Sequence, residues 1–117
     1  MKANTRQTGS VTIIDLNGRI TLGEDLPQLR QLIRDLLAQG HKNILLNLAE
    51  VSYIDSAGLG ELVSANVAAA NRGGQLKLLH LTKRVRDLLQ ITKLLTVFDA
   101  HEDEAEAIAS FPKAAGA

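Results

Sequence analysis

The chain has 117 residues, 45% hydrophobic and 22% charged, the length and make-up of one globular domain and not of a disordered polymer. Its 13 Lys and Arg balance 13 Asp and Glu, which argues against holding nucleic acid or an anionic membrane by bulk charge. The lack of Cys removes disulfides, thiolate metal sites and a thiol nucleophile, and Tyr53, Phe98 and Phe111 are too few to stack single strands.

The opening residues, Met1 to Ser10, carry no apolar stretch suited to a signal peptide, and no window approaches a membrane span. A cytoplasmic, single-domain protein over 1–117 is expected, ordered over about 10–111 with short tails at both ends. Val11 to Leu16 is a β-branched, apolar run closed by the turn signal Asn17-Gly18, with Arg19-Ile20-Thr21 as a short second strand. Leu22, Leu26, Leu29, Ile33, Leu36 and Leu37 recur every three or four residues against Gln28, Arg30, Gln31, Arg34 and Asp35, the pattern of an amphipathic helix. Pro27 fits the first turn of a helix starting near Glu24, and Gly40 stops it. Asn43 to Leu48 is apolar enough for a strand covered on both faces. Val51-Ser52-Tyr53-Ile54 leads through Asp55-Ser56 into a second helix with the stripe Leu59, Leu62, Val63, Val67 and Ala70, stopped by Gly73-Gly74. Gln75 to Leu79 is the next strand, and Thr82 caps a third helix carrying Val85, Leu88 and Leu89. Leu95 to Phe98 is a last short strand, and Glu102 to Phe111 a closing helix whose acidic first turn suits the helix dipole. Pro112 and the Ala/Gly tail end the order. Such alternation makes parallel strands joined by crossovers. The expected fold is one α/β domain: a mixed, mostly parallel sheet with helices packed on it.

Chemistry is expected at Tyr53-Ile54-Asp55-Ser56-Ala57-Gly58-Leu59-Gly60, because sites in open α/β sheets gather outside the carboxyl ends of the strands. Ser56 is the expected N-cap, its hydroxyl beside unpaired N–H groups where the helix dipole favours negative charge. The plain alternative is a cap and nothing more. Gly58 and Gly60 weigh against it, since glycine within a helix costs roughly 0.5–1 kcal/mol relative to alanine, and two of them point to a close approach to the backbone. Gly60, Glu61, Ser64, Ala65 and Ala68 lie away from the apolar stripe and most are small, which makes either a docking face or a face packed on a neighbouring helix.

Gly18-Arg19-Ile20, Asn43 to Leu48 and above all Asp55-Ser56-Ala57-Gly58-Leu59-Gly60 resemble the STAS domain of the bacterial anti-sigma factor antagonists, with its SpoIIAA-like fold. The Gly73-Gly74-Gln75-Leu76 turn and the Val85-x-x-Leu88-Leu89 helix extend the resemblance, which runs from about Val11 to Phe111. It implies a regulatory phosphoprotein with no catalytic residue, cofactor or metal. Unmodified, such an antagonist binds an anti-sigma factor that is also a serine kinase with a histidine-kinase-like ATP-binding fold, and the sigma factor is released. The kinase phosphorylates the motif serine, the antagonist lets go, and a PP2C-type phosphatase restores it. By position the phosphoacceptor is Ser56, and the partner surface comprises Asp55, Ser56, Ala57, Gly58, Leu59, Gly60, Glu61, Ser64 and Thr21. Phosphate adds about −1.5 to −2 charge at a helix start that accepts an anion, while Asp55 opposes it. The switch is therefore expected to work by charge and bulk with little refolding. Many family members have an acid where this chain has Thr21, which bears on partner choice.

Other chemistry finds less support. A nucleophile elbow needs glycine two residues before Ser56, and Ile54 stands there. His41, His80 and His101 are scattered and read as surface histidines, with no shared ligand spacing. There is no phosphate-binding glycine loop followed by Lys, and a receiver's acidic pair is reduced to Asp15 alone. The rival reading is a STAS domain used as a non-switching interaction module, either a stress-signalling scaffold or an accessory subunit of a transporter. Lys83, Arg84 and Arg86 are read as a solvated helix face, with contact to an acidic partner as the alternative.

Overall fold

A computed structural model describes residues 1–112; the Ala/Gly tail expected beyond Pro112 lies outside the described residues. Strands β1 (Lys2–Thr8) and β2 (Val11–Ile20) precede helix α1 (Asp25–Ala38), and β3 (Asn43–Ile54) precedes α2 (Ser56–Asn71). Then come β4 (Gln75–Leu79), α3 (Lys83–Ile91), β5 (Asp99–His101) and α4 (Glu104–Ala109). The sheet order is β1-β2-β3-β4-β5. The β1–β2 pair is antiparallel, and β2, β3, β4 and β5 are parallel neighbours. The mixed, mostly parallel α/β architecture read from the alternation is the one observed.

Side chains alternate across a strand with period two, and here both faces are covered. Ile14, Leu16, Ile44, Leu46, Leu48, Leu76 and Leu78 pack with Leu29 and Ile33 of α1, Leu59 and Leu62 of α2, and Val85 and Leu89 of α3. On the other face Val11, Ile13, Leu45 and Leu79 pack with Ala107 of α4 and with Phe111. Strands buried on both sides need apolar residues at nearly every position, which is why Asn43–Leu48 reads as a continuous run. Glu24 is the α1 N-cap with Pro27 in the first turn, as expected, and Gly40 follows the C-cap Gln39. Thr82 caps α3, its Oγ1 accepting from the Val85 N–H at 3.3 Å.

Several boundaries differ from the sequence reading. The expected N-terminal tail contains β1, an edge strand of almost entirely exposed residues. It lacks the apolar alternation that marks a strand, because neither face enters the core; its seven-residue pairing with β2 defines it instead. Asn17-Gly18 does not turn the chain: β2 continues to Ile20, and the pairing with β3 shifts register around these residues. Gly18 supplies φ +109 in that irregularity. The runs 43–48 and 51–54 fuse into β3. The last strand is Asp99–His101 and not Leu95 to Phe98, because Phe98 plugs the core and pairing with β4 begins only at Asp99. The closing helix shortens to Glu104–Ala109, started by Asp103, whose carboxylate accepts from the Glu106 N–H at 2.8 Å. Leu22 and Val67 leave their expected stripes: 77% and 52% exposed, they lie before the α1 start and on the outer side of α2.

Candidate functional site

The carboxyl end of β3 delivers Asp55 in extended conformation (φ −96, ψ 179), and α2 begins at the next residue. Asp55, and not Ser56, is the N-cap. Its Oδ1 accepts from the Gly58 N–H at 2.7 Å, and its Oδ2 accepts from the Leu22 N–H at 3.0 Å. The Asp55 N–H donates in turn to the Ile20 carbonyl at 3.4 Å. One carboxylate thus closes the helix start and ties it to the loop between β2 and α1. Aspartate and serine cap almost equally well, but only the two-oxygen group reaches both N–H donors. These backbone donors, Leu22 first and Gly58 second, hold the Asp55 carboxyl below the usual carboxylate range.

With the cap taken, Ser56 becomes the first helical residue and its side chain is exposed. The two glycines after it have different causes. A Cβ on Gly58 would lie 2.1 Å from the Ile20 carbonyl oxygen and 2.9 Å from Ile54 Cγ1, so the first turn of α2 presses on the end of β2. Gly60 has nothing within 4 Å of such a Cβ and lies open to solvent. The close approach inferred from both is internal at Gly58 and leaves a free surface only at Gly60.

The remaining partner-surface residues divide in the same way. Ser56, Gly60 and Ser64 are exposed, and Ala57 and Asp55 are half-buried beside them. Gly58 and Leu59 face the core. Glu61, expected on the outer face, is buried: its carboxylate accepts from Arg30 Nε and Nη2, both at 3.0 Å, which joins α2 to α1. Ala65 is buried in α2 as well. This half of the small-residue face is therefore helix packing. Thr21 is half-buried and donates its hydroxyl to Asp25 Oδ2 at 3.2 Å, on the loop that Asp55 secures.

Two features escaped the sequence reading. Exposed Leu22 stands on the loop tied to Asp55; its place ahead of the Glu24 start was the available signal. Two guanidinium groups rest against the Tyr53 ring, Arg19 at 5.1 Å and Arg84 at 5.7 Å from its centre. Strand register sets Arg19 opposite Tyr53, whereas the approach of Arg84 depends on the packing of α3. The histidines have partners elsewhere: Gln7 for His41, Asp99 for His101, and the His101 carbonyl for the His80 N–H.

No helix among the described residues is long and apolar enough to cross a membrane. Over 73 residues the chain is 38% identical to the anti-sigma-B factor antagonist of Bacillus subtilis (strain 168), a match covering 62% of this chain and 66% of the relative, just under two thirds of its length. In three dimensions it is similar to a putative anti-sigma factor antagonist from Thermotoga maritima, with TM-score 0.85, 24% identity and 92% of each chain covered. It is also similar to the anti-sigma factor antagonist SpoIIAA in its unphosphorylated form, with TM-score 0.70, 22% identity, and 92% of this chain and 96% of that one covered. The STAS domain model matches residues 2–107, strand β1 included, and the chain belongs to the STAS domain family.

Proposed function

We propose that this protein is an anti-sigma factor antagonist switched by phosphorylation of Ser56. In this reading it works in the cytoplasm without catalysing a reaction itself. Unmodified, it binds an anti-sigma factor serine kinase through the exposed start of α2, and the sigma factor is set free. The Ser56 oxygen then bonds to the γ-phosphorus of ATP held by the kinase, the bond to the bridging oxygen breaks, ADP leaves, and the hydroxyl proton passes to the kinase. A PP2C-type phosphatase hydrolyses the phosphoserine and restores the binding form.

The observation that carries this reading is the division of labour between Asp55 and Ser56. The cap bond belongs to Asp55, so modification of Ser56 removes no bond that holds the helix. Phosphate adds about −1.5 to −2 charge and three acceptor oxygens at a helix start whose dipole accepts an anion. The host fold tolerates the group, while a partner seated on the same turn meets new bulk and charge beside the ionised Asp55. A loss of ~3–4 kcal/mol at that contact weakens binding several-hundredfold.

Incubation with the cognate anti-sigma kinase and Mg-ATP is expected to add one phosphate, mapped by mass spectrometry to Ser56. Ser56→Ala should bind the kinase and resist modification, and Ser56→Asp should bind at least roughly a hundredfold more weakly. Phosphate on another residue, or undiminished binding by Ser56→Asp, counts against the switch. The STAS fold also serves non-switching modules, and fold alone does not choose between them; an exposed, uncapping serine at the start of α2 favours the switch.

A further inference from the structure

An open groove of about 650 Å³ runs between the end of β3 and α3. Tyr53 and Ile54 form one wall, and Arg84, Leu88 and Ile91 the other. Ile91 is 79% exposed, and together with half-buried Leu88 it gives the α3 wall an apolar edge on a protein whose other apolar residues are mostly sealed in the core. The lining also holds Lys83 and Asp87, and the charge left unpaired there is positive. Lys83 is paired with Asp87 at 2.9 Å, but no acid is paired with Arg84 or Arg19 among the described residues, and both guanidinium groups rest against the Tyr53 ring. Stacking on an aromatic face fixes a guanidinium in place and leaves its N–H edge free for a carboxylate. In the sequence Arg84 belongs with Lys83 and Arg86 to a helix face read as solvated, with an acidic partner as the alternative; the fold sets Arg84 beside Arg19 of β2 on the rim of an apolar cleft. The groove is also continuous with the switch, since Ile54 lines it and Ser56 follows two residues later.

We propose that this groove receives an acidic, apolar-edged segment of the anti-sigma kinase that docks at Ser56, with Arg19 and Arg84 pairing its carboxylates and Leu88 and Ile91 taking its apolar side chains. This rests on the reading of Ser56 given above. The groove then anchors the partner at a second point, beside the turn where phosphate acts.

The test compares Kd for the kinase among wild type, Arg84→Glu, Ile91→Ser, Ser56→Asp and a distant charge reversal, Lys42→Glu, which is exposed ahead of β3 at the opposite end of that strand from Ser56. Arg84→Glu puts an acid into the first turn of α3, which the helix dipole favours, so the variant stays folded. Its binding should weaken at least roughly tenfold, and its affinity should depend less on salt than that of wild type. Ile91→Ser should weaken binding without changing the salt slope, and Lys42→Glu should match wild type. In phosphorylation assays Arg84→Glu should raise KM and leave kcat unchanged, because Ser56 is untouched. Wild-type affinity for both groove variants, with Ser56→Asp still failing to bind, overturns the groove and leaves the switch standing. Failure of wild type itself to bind the kinase overturns both.

Discussion

Gly58 and Gly60, two residues apart in one helix, meet opposite surroundings, and their substitutions should have opposite signs. At Gly58 a methyl group collides with the backbone carbonyl of Ile20, an obstacle that cannot rotate away. Gly58→Ala is expected to cost about 2 kcal/mol, within the range of overpacked sites, and to disturb the loop that Asp55 holds. At Gly60 the methyl enters open space, and alanine is the better helix residue, so Gly60→Ala should gain roughly 0.5–1 kcal/mol. If the outer face of α2 docks the kinase, the same substitution should weaken kinase binding. Thermal unfolding and titration of the two variants separate the effects; a destabilised Gly60→Ala would mean the helix start is packed differently from the description above.

Among the elements, β1 shows how tertiary contacts define a strand that its composition does not. Its residues are polar, yet Arg6 donates to Asp15 of β2 through Nε and Nη2 at 2.6 and 2.9 Å and to Glu104 of α4 through Nη2 and Nη1 at 2.7 and 3.3 Å. One guanidinium therefore joins the edge strand, its neighbour and the last helix. The group is 39% exposed, so solvent screens it, and a single exposed pair contributes about 0.2–1 kcal/mol. With two carboxylates shared, Arg6→Ala should cost about 1 kcal/mol and raise amide exchange in β1 and α4 ahead of β3 and β4. Uniform exchange across the sheet would mean that Arg6 does not hold these elements. Buried Lys77 acts similarly on the far side, bonding Asp99 at 2.9 Å and the Ser110 hydroxyl at 2.8 Å, with the Phe111 ring 4.9 Å away. These cross-chain polar ties join residues up to 98 positions apart, and no local pattern announces them.

For the molecule as a whole, the ionised carboxylates set the response to acid. Arg6 holds Asp15 and Glu104 below their ordinary range, the N-terminal amine does so for Asp25, Lys77 for Asp99, and the Leu22 N–H for Asp55. Each binds protons less readily folded than unfolded. Its contribution is therefore complete above the unfolded carboxylate value of about 4 and is lost as pH falls through the lower folded values. The urea midpoint should hold steady from neutral pH to about 5 and fall steeply below about 4, less steeply in Arg6→Ala. A midpoint that stays level below pH 4 would show that these pairs do not favour the folded state.

Local patterning alone carries the α/β class, the doubly buried run Asn43 to Leu48, the amphipathic faces of α1 and α3, and the turn that bears Ser56. Each rests on local periodicity or capping chemistry that survives in any context. Packing between distant segments settles which residue caps α2, because serine and aspartate are nearly equal locally and the Leu22 N–H, supplied from another loop, selects Asp55. It likewise decided that Gly18 sits in a bulge, that Glu61 is buried against Arg30, and that Arg84 reaches Tyr53. In each case the deciding neighbour is brought in by packing from a distant part of the chain, and its energy is invisible until the elements meet.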